Sequence, residues 1–205
     1  MRHRPAGGCI VLHPAALAGF FRARAAGTAS ASCRFSYGKA LAACATASAP
    51  FAFAEQLYCA AWKDGLSRDA YICSTMVDLL AKHGRLGDAL RAFEDGEYRG
   101  SVVCWNTAIS GAVRNGEHAL GVEMFLDMVR GSTCEPNSFT YSGVLSACAA
   151  GEELGVGRAV HGMVLRRDSE YDVFVGTSIV NMYVKCGQMG AAINEFWRMP
   201  IRNVV

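Results

Sequence analysis

Val173-Phe-Val-Gly-Thr-Ser-Ile-Val-Asn-Met-Tyr-Val-Lys-Cys-Gly187, continued by Gln188-Met-Gly-Ala-Ala-Ile-Asn-Glu-Phe-Trp-Arg-Met-Pro200, reads as two short helices with a break between them. In the first half, Phe174, Ile179, Val180, Tyr183 and Val184 fall on one helical face. Gly187 stops that helix, because glycine takes the left-handed conformation of a helix C-terminus at little steric cost. Ala191, Ala192, Ile193 and Phe196 carry the second helix, which ends near Met199-Pro200. The unit from Val102 has the same plan. Trp105, Ile109 and Val113 form its first stripe, Asn115-Gly116 breaks it, and Leu120, Met124, Phe125 and Met128 form the second. Pro136-Asn137 separates it from the next unit, with Asn137 or Ser138 as N-cap.

The chain repeats itself at longer range. Phe35-Ser-Tyr-Gly-Lys-Ala-Leu-Ala-Ala-Cys44-Ala-Thr46 matches Phe139-Thr-Tyr-Ser-Gly-Val-Leu-Ser-Ala-Cys148-Ala-Ala150 at six of twelve positions, at an offset of 104. Ser74–Phe93 matches Thr177–Phe196 at an offset of 103, including Lys82/Lys185, Gly84/Gly187, Gly87/Gly190 and Phe93/Phe196. A shared offset means a higher-order period of three smaller units. Unit starts fall at Arg34, Ala70, Val102, Ser138, Val173 and Val204. No alternating run bounded by turn dipeptides competes as strand. One helical pair cannot bury both of its faces, and stacked pairs can, so the expected product is an α-solenoid with a groove.

Composition narrows the alternatives. The longest apolar run, Cys9 to Phe21, is 13 residues and holds His13 and Pro14, too short for a membrane span of about 20. The net charge of +2 is small for a protein that would coat nucleic acid by charge alone. Residues 1–54 hold six basic residues and no acid, the composition of an organelle transit peptide or of a worn repeat. Nine cysteines form no C-x-x-C pair, and no histidine stands near enough to complete a zinc site. They read as reduced, buried thiols. None of His3, His13, His83, His118 and His161 has Glu two residues on, and no G-x-S-x-G or phosphate-binding glycine loop occurs. No catalytic group, metal or cofactor is therefore expected.

The units resemble plant pentatricopeptide repeats of the subfamily in which long, short and ordinary repeats alternate. Val102-Val-Cys-Trp-Asn-Thr-Ala-Ile-Ser-Gly111 is similar to the ordinary opening, Phe139-Thr-Tyr-Ser-Gly-Val-Leu-Ser-Ala-Cys148 to the long one, and Val173 to Gly187 to the short one. The resemblance covers 34–203. It implies an all-α, right-handed α-solenoid of stacked helix-turn-helix repeats. These run as 34–69 long, 70–101 short, 102–137 ordinary, 138–172 long and 173–203 short. Residues 204–205 would open a truncated repeat, and 1–33 would be a repeat remnant or a transit peptide. The tryptophan and Leu-Gly pattern of the related protein-binding repeats is not found.

The family binds single-stranded RNA, about one nucleotide per repeat. Its bases are read by the fifth residue of a repeat and the last residue before the next. Carried over, the pairs are Gly38/Asp69, Ser74/Ser101, Asn106/Asn137, Ser142/Asp172 and Thr177/Asn203. By the family's code Asn106/Asn137 implies a pyrimidine, Thr177/Asn203 adenine, and Ser142/Asp172 leans to guanine. The second residues, Phe35, Tyr71, Val103, Phe139 and Phe174, would sandwich bases. The plainer reading makes these polar residues helix caps and solvated faces. Lys82, Arg85, Arg114, Arg158, Arg166, Arg167 and Lys185 could form a basic stripe or lie scattered.

The resemblance implies an organellar RNA partner, in mitochondrion or alternatively chloroplast, and a role in addressing C-to-U editing sites. Editing-complex proteins or a deaminase would act in trans. A protein-binding helical scaffold and a non-functional truncated gene product are the rival readings. Five repeats address about five nucleotides, ~10³ combinations, too few for a selective reader alone.

Overall fold

The computed structural model describes residues 33–46, 51–66, 69–95, 100–131, 134–167 and 171–199. Side chains of 33–36, 43, 45, 46 and 95 are outside that description. The described residues form ten helices and no strand. They come as five pairs: α1 (Cys33–Thr46) with α2 (Phe51–Lys63), α3 (Ala70–Lys82) with α4 (Leu86–Asp95), and α5 (Val102–Arg114) with α6 (His118–Gly131). The last two are α7 (Ser138–Ala150) with α8 (Leu154–Arg166), and α9 (Val173–Lys185) with α10 (Met189–Arg198). Each first helix packs on its own second helix and on the first helices before and after it, so α1, α3, α5, α7 and α9 form one continuous row.

The local chemistry of each pair repeats. Asp69, Asn137 and Asp172 stand just before α3, α7 and α9 and accept from backbone N–H groups of the first turn. The capping residue is thus Asn137, not Ser138. Ser101 holds the same place before α5 but makes no side-chain cap bond. At the other end, Gly84, Gly116 and Gly187 take φ of 72°, 83° and 73°. Each closes its helix with two bonds, as in Arg85 N–H to Leu80 O (2.9 Å) and Gly84 N–H to Ala81 O (3.2 Å). The same place after α7 is held by Glu152, at φ 57°, with Glu153 N–H donating to Cys148 O at 2.9 Å. A side chain in the left-handed region costs roughly 1–2 kcal/mol relative to glycine.

Aromatic side chains bind neighbouring pairs to one another. Phe93 of α4 meets Trp105 of α5 edge-on, ring centres 4.8 Å apart, and both are buried. Phe125 of α6 meets Tyr141 of α7 at 6.2 Å. The Asn115 side chain donates to Ala81 O (2.9 Å) and Gly111 O (2.8 Å), tying the end of α5 to the end of α3. Cys44, Cys73, Cys104 and Cys148 are free and buried between helices. Burial pushes the Cys148 thiol up to about 12, so it stays protonated at neutral pH. Among the described residues no cluster of His, Cys, Asp and Glu could hold a metal, and no helix is long and apolar enough to cross a membrane.

The apolar stripes differ from the sequence reading at the last pair. In α9 the buried face is Val175, Ile179, Met182 and Tyr183, whereas Phe174 and Val184 are exposed. Ile193 and Phe196 of α10 are also exposed. Phe93, the counterpart of Phe196 one period earlier, is covered by the next first helix. No described helix follows α10 to do the same.

A polar cluster joins α8, α9 and α10. Tyr171 Oη donates to Glu195 Oε1 at 2.6 Å, and His161 lies 3.0 Å from Tyr183 Oη and 3.4 Å from Glu195 Oε2. Glu195 is buried despite its charge, with Arg198 3.9 Å away. Burial holds the His161 imidazole below its ordinary pKa, against the opposing pull of Glu195.

Two outcomes follow for stability. Glu152→Gly should raise stability by about 1 kcal/mol, read as a higher urea midpoint at unchanged slope. A histidine whose folded pKa is depressed binds its proton more readily in the unfolded chain. Its contribution is complete above the unfolded value of about 6.5 and declines as pH falls through it. His161→Gln should therefore flatten the loss of thermal stability between pH 7.5 and 5.5, about one pH unit either side of that value. An equal loss in both proteins would remove His161 from the account.

Candidate nucleic-acid interface

The row of first helices exposes the second residue of each unit. Relative exposure is 43% at Tyr71, 56% at Val103, 76% at Phe139 and 78% at Phe174. For apolar residues at helix starts this is unusual. The helical period explains it. In α3, α5 and α7, positions three, seven and eight turn inward, as in Cys104, Ala108 and Ile109, and position two stands on the opposite side. Phe35 carries no described side chain.

Between Val103 and Phe139 lies an open cavity of about 760 Å³, lined also by Asn106, Asn137, Ser142 and Arg114. Its lining pairs an apolar wall with amide and hydroxyl groups. Such a slot suits a flat heterocycle with a polar edge: apolar side chains take its faces and amides its hydrogen-bonding edge.

The sequence-predicted pairs are placed unequally. Asn106 and Asn137 are brought together: Asn106 Nδ2 donates to Asn137 Oδ1 at 3.1 Å. Both are partly exposed on the cavity. Ser142 is partly exposed and bonds to Ser178, Oγ to Oγ, at 2.7 Å, while Asp172 is exposed and accepts from Val175 N–H at 2.8 Å. Thr177 is exposed, its hydroxyl turned back to Val173 O at 2.7 Å. Its partner Asn203 lies outside the described residues. Ser74 is buried at 6% exposure, and its hydroxyl donates to Tyr71 O at 3.1 Å. In this arrangement it presents nothing to a ligand. Ser101, partly exposed, makes no cap bond, and its side chain meets the Cys104 thiol.

The first pair, Gly38/Asp69, contributes in another way. A Cβ on Gly38 would sit 1.9 Å from Tyr71 Cε1. The missing side chain lets the Tyr71 ring lie directly on α1. Asp69 accepts from Tyr71 N–H (2.9 Å) and Ile72 N–H (3.2 Å), which fixes the start of α3 beneath that ring.

Five of the seven cations of the expected stripe are engaged by neighbouring polar side chains. Lys82 and Arg114 meet on one carboxylate, Asp78, at 2.6 and 3.1 Å. Arg85 is held by Glu55 (3.0 Å) and Asp88 (2.7 Å) over the Phe51 ring, and Arg167 pairs with Glu135. Arg158 donates to Gln188 at 3.3 Å. All these pairs are solvent-exposed and therefore weakly held. Sequence reasoning missed Thr140, buried at the foot of the Asn106/Asn137 pair. The signal available was the capping-box spacing of Asn137 and a hydroxyl three residues on.

Comparison with known proteins gives the kind of repeat. The PPR repeat family model matches residues 100–150, and the PPR repeat model matches residues 71–101. A pentatricopeptide repeat-containing protein of Arabidopsis thaliana named as chloroplastic is 39% identical over 170 residues, which is 83% of this chain and 18% of that protein. One named as mitochondrial is 36% identical over 151 residues, 73% of this chain and 16% of its own length. A third, named as chloroplastic and mitochondrial, is 35% identical over 159 residues, 75% of this chain and 24% of its length. The chain thus spans less than a quarter of the length of these relatives.

The caps give a test independent of any ligand. Asn137→Ala should cost about 1 kcal/mol of folding stability, and Ser101→Ala no more than a few tenths, by denaturant titration. Equal costs would contradict the cap assignment.

Proposed function

We propose, from the pentatricopeptide repeats that this chain carries over residues 71–101 and 100–150, that it binds single-stranded RNA along its row of first helices. One observation carries the reading: Val103 and Phe139, both exposed, stand on either side of the Asn106/Asn137 amides in one open cavity. A base inserted there stacks on apolar side chains and presents its edge to donors and acceptors. Neighbouring units repeat the exposed second residue, with Tyr71 before it and Phe174 after it. The chain supplies an address and no chemistry of its own.

The finer reading is that the units are the alternating long, short and ordinary repeats of an organellar RNA-processing protein. Its role is to mark a site for C-to-U editing, with a deaminase or other editing protein acting in trans. The names of the similar proteins support an organelle as the setting, whether mitochondrion or chloroplast. Asn106, Asn137, Ser142, Asp172, Thr177 and Asn203 are the readers in this proposal. Ser74 contributes least, because its hydroxyl is buried.

A protein-binding scaffold is the second reading. The pairing of Lys82, Arg85, Arg114 and Arg167 with carboxylates favours it, since RNA must compete for those cations. A pull-down with and without ribonuclease separates the two: a partner kept after digestion supports the scaffold.

Filter binding to a randomised single-stranded RNA pool tests the main reading. Phe139→Ala should weaken binding by roughly 1–3 kcal/mol, with Phe174→Ala similar. Trp62→Ala, on the second-helix side and 51% exposed, should leave it unchanged. Equal losses at all three positions, or no binding by the wild-type chain, would refute the assignment of this face.

A further inference from the structure

The orientation of the Asn106/Asn137 pair is not set by those two residues. Thr140, the third residue of the following unit, has no exposed surface and is hydrogen-bonded to both of them. Its backbone N–H donates to Asn137 Oδ1 at 3.1 Å. The Asn137 backbone N–H donates to Thr140 Oγ1 at 3.1 Å. The Thr140 hydroxyl donates to Asn106 Oδ1 at 2.6 Å, with Asn137 Oδ1 a longer alternative at 3.1 Å.

These bonds admit one self-consistent arrangement. A backbone N–H can only donate, so Asn137 must turn its carbonyl oxygen inward and its amide N–H₂ outward. Asn137 Oδ1 also receives Asn106 Nδ2 at 3.1 Å, which uses its second lone pair. A flipped Asn106 would set two carbonyl oxygens against each other at that distance. The Thr140 hydroxyl, donating at 2.6 Å, holds the Asn106 oxygen in its place. Toward the cavity, Asn137 therefore offers only donors, and Asn106 offers one donor and one remaining lone pair.

The neighbouring units act as internal controls. Before α5 the third position is Cys104, whose Sγ donates to Ala70 O at 3.4 Å. There Ser101 makes no side-chain cap bond but meets the Cys104 thiol, and Ser74 turns its hydroxyl to its own backbone, so the two serines are not bonded to each other. Before α9 the third position is Val175. There Asp172 only caps, and Ser142 bonds to Ser178 instead. Among the described units, the fifth and last residues are joined where the third position of the next helix supplies a buried hydroxyl.

We infer that Thr140 is a positioning residue for base selection: it locks the Asn106/Asn137 amides into a donor-rich edge that selects a nucleobase by its carbonyl acceptors. The inference rests on the RNA-binding reading of this face and adds to it a residue that touches no base. Guanine O6 and pyrimidine O2 both meet such donors; the family resemblance implies a pyrimidine at this pair, and O2 is present in both cytosine and uracil. Discrimination at this nucleotide should accordingly fall between pyrimidine and purine more than between the two pyrimidines.

The test uses the whole chain and three proteins: wild type, Thr140→Val, which keeps the shape and loses the hydroxyl, and Thr140→Ser, which keeps the hydroxyl. Each is equilibrated with a randomised single-stranded RNA pool, and the bound RNA is sequenced. Side-chain amide signals of Asn106 and Asn137 are followed in nitrogen–proton NMR spectra without RNA. Wild type and Thr140→Ser should enrich pyrimidines at one nucleotide and show two dispersed, slowly exchanging amide pairs. Thr140→Val should lose about five- to tenfold of that preference, the worth of about one hydrogen bond. It should keep its preferences at the other nucleotides, and the Asn106 amide pair should move toward a solvent-exposed position, while Asn137 keeps its bond from the residue-140 backbone N–H. An unchanged pyrimidine preference in Thr140→Val overturns the inference, as does a loss spread evenly over all nucleotides. If wild type enriches no RNA, the RNA reading itself fails. The amide spectra then decide separately whether Thr140 orders the pair, and unchanged spectra overturn that too.

Discussion

The packing of first helix upon first helix is the constraint on which the rest of the structure depends. A helical pair of this length has more apolar surface than it can cover alone, and the two directions of stacking are not equivalent. The row from α1 to α9 buries Ile72, Trp105, Ile109, Tyr141 and Ile179 almost completely. Cross-unit contacts such as Phe93 on Trp105 make each pair part of its neighbour's core. Stability in such an array is shared between units and the interfaces joining them. The exposed Ile193, Phe196 and Trp197 on α10 show how a second helix stands when no described helix covers it.

Once the row is fixed, so is everything on its free side. The inward turn of positions three, seven and eight leaves position two facing out, with position five beside it and the cap of the next helix within reach. Val103, Asn106 and Asn137 converge for that reason. The same geometry gives the cap residues two roles. Asn137 must satisfy the first turn of α7, and it does so with its oxygen, leaving its nitrogen for anything in the cavity. Asp172 caps with one carboxylate oxygen and keeps the other. Capping does not exclude recognition by these residues, because each side chain has more than one hydrogen-bonding atom.

Electrostatics plays a smaller part than a nucleic-acid surface ordinarily asks. Several of the described cations sit beside carboxylates, and residues 34–205 hold 16 basic and 18 acidic residues. Binding along this face would draw on stacking and on directional hydrogen bonds, with phosphate contacts requiring exchange of existing ion pairs such as Arg114 with Asp78. Salt sensitivity should then be modest compared with a basic groove of similar length.

Sequence alone determined the helical pairs and the places where they begin and break, because period, caps and glycines are local properties. α3, α5, α7 and α9 start at Ala70, Val102, Ser138 and Val173, the residues at which the units divide. Exposed Phe139 and Phe174 were legible only through the family resemblance, since helical periodicity placed Phe174 with the buried stripe. What tertiary structure decided is which polar side chains meet. Ser74 and Asn106 occupy the same position in their units, yet one is buried against its own backbone and the other opens on a cavity. Thr140 gave no sign of importance beyond its capping spacing. Its hydroxyl matters only because stacking α7 on α5 brings it within 2.6 Å of an asparagine thirty-four residues earlier, a distance no local rule contains.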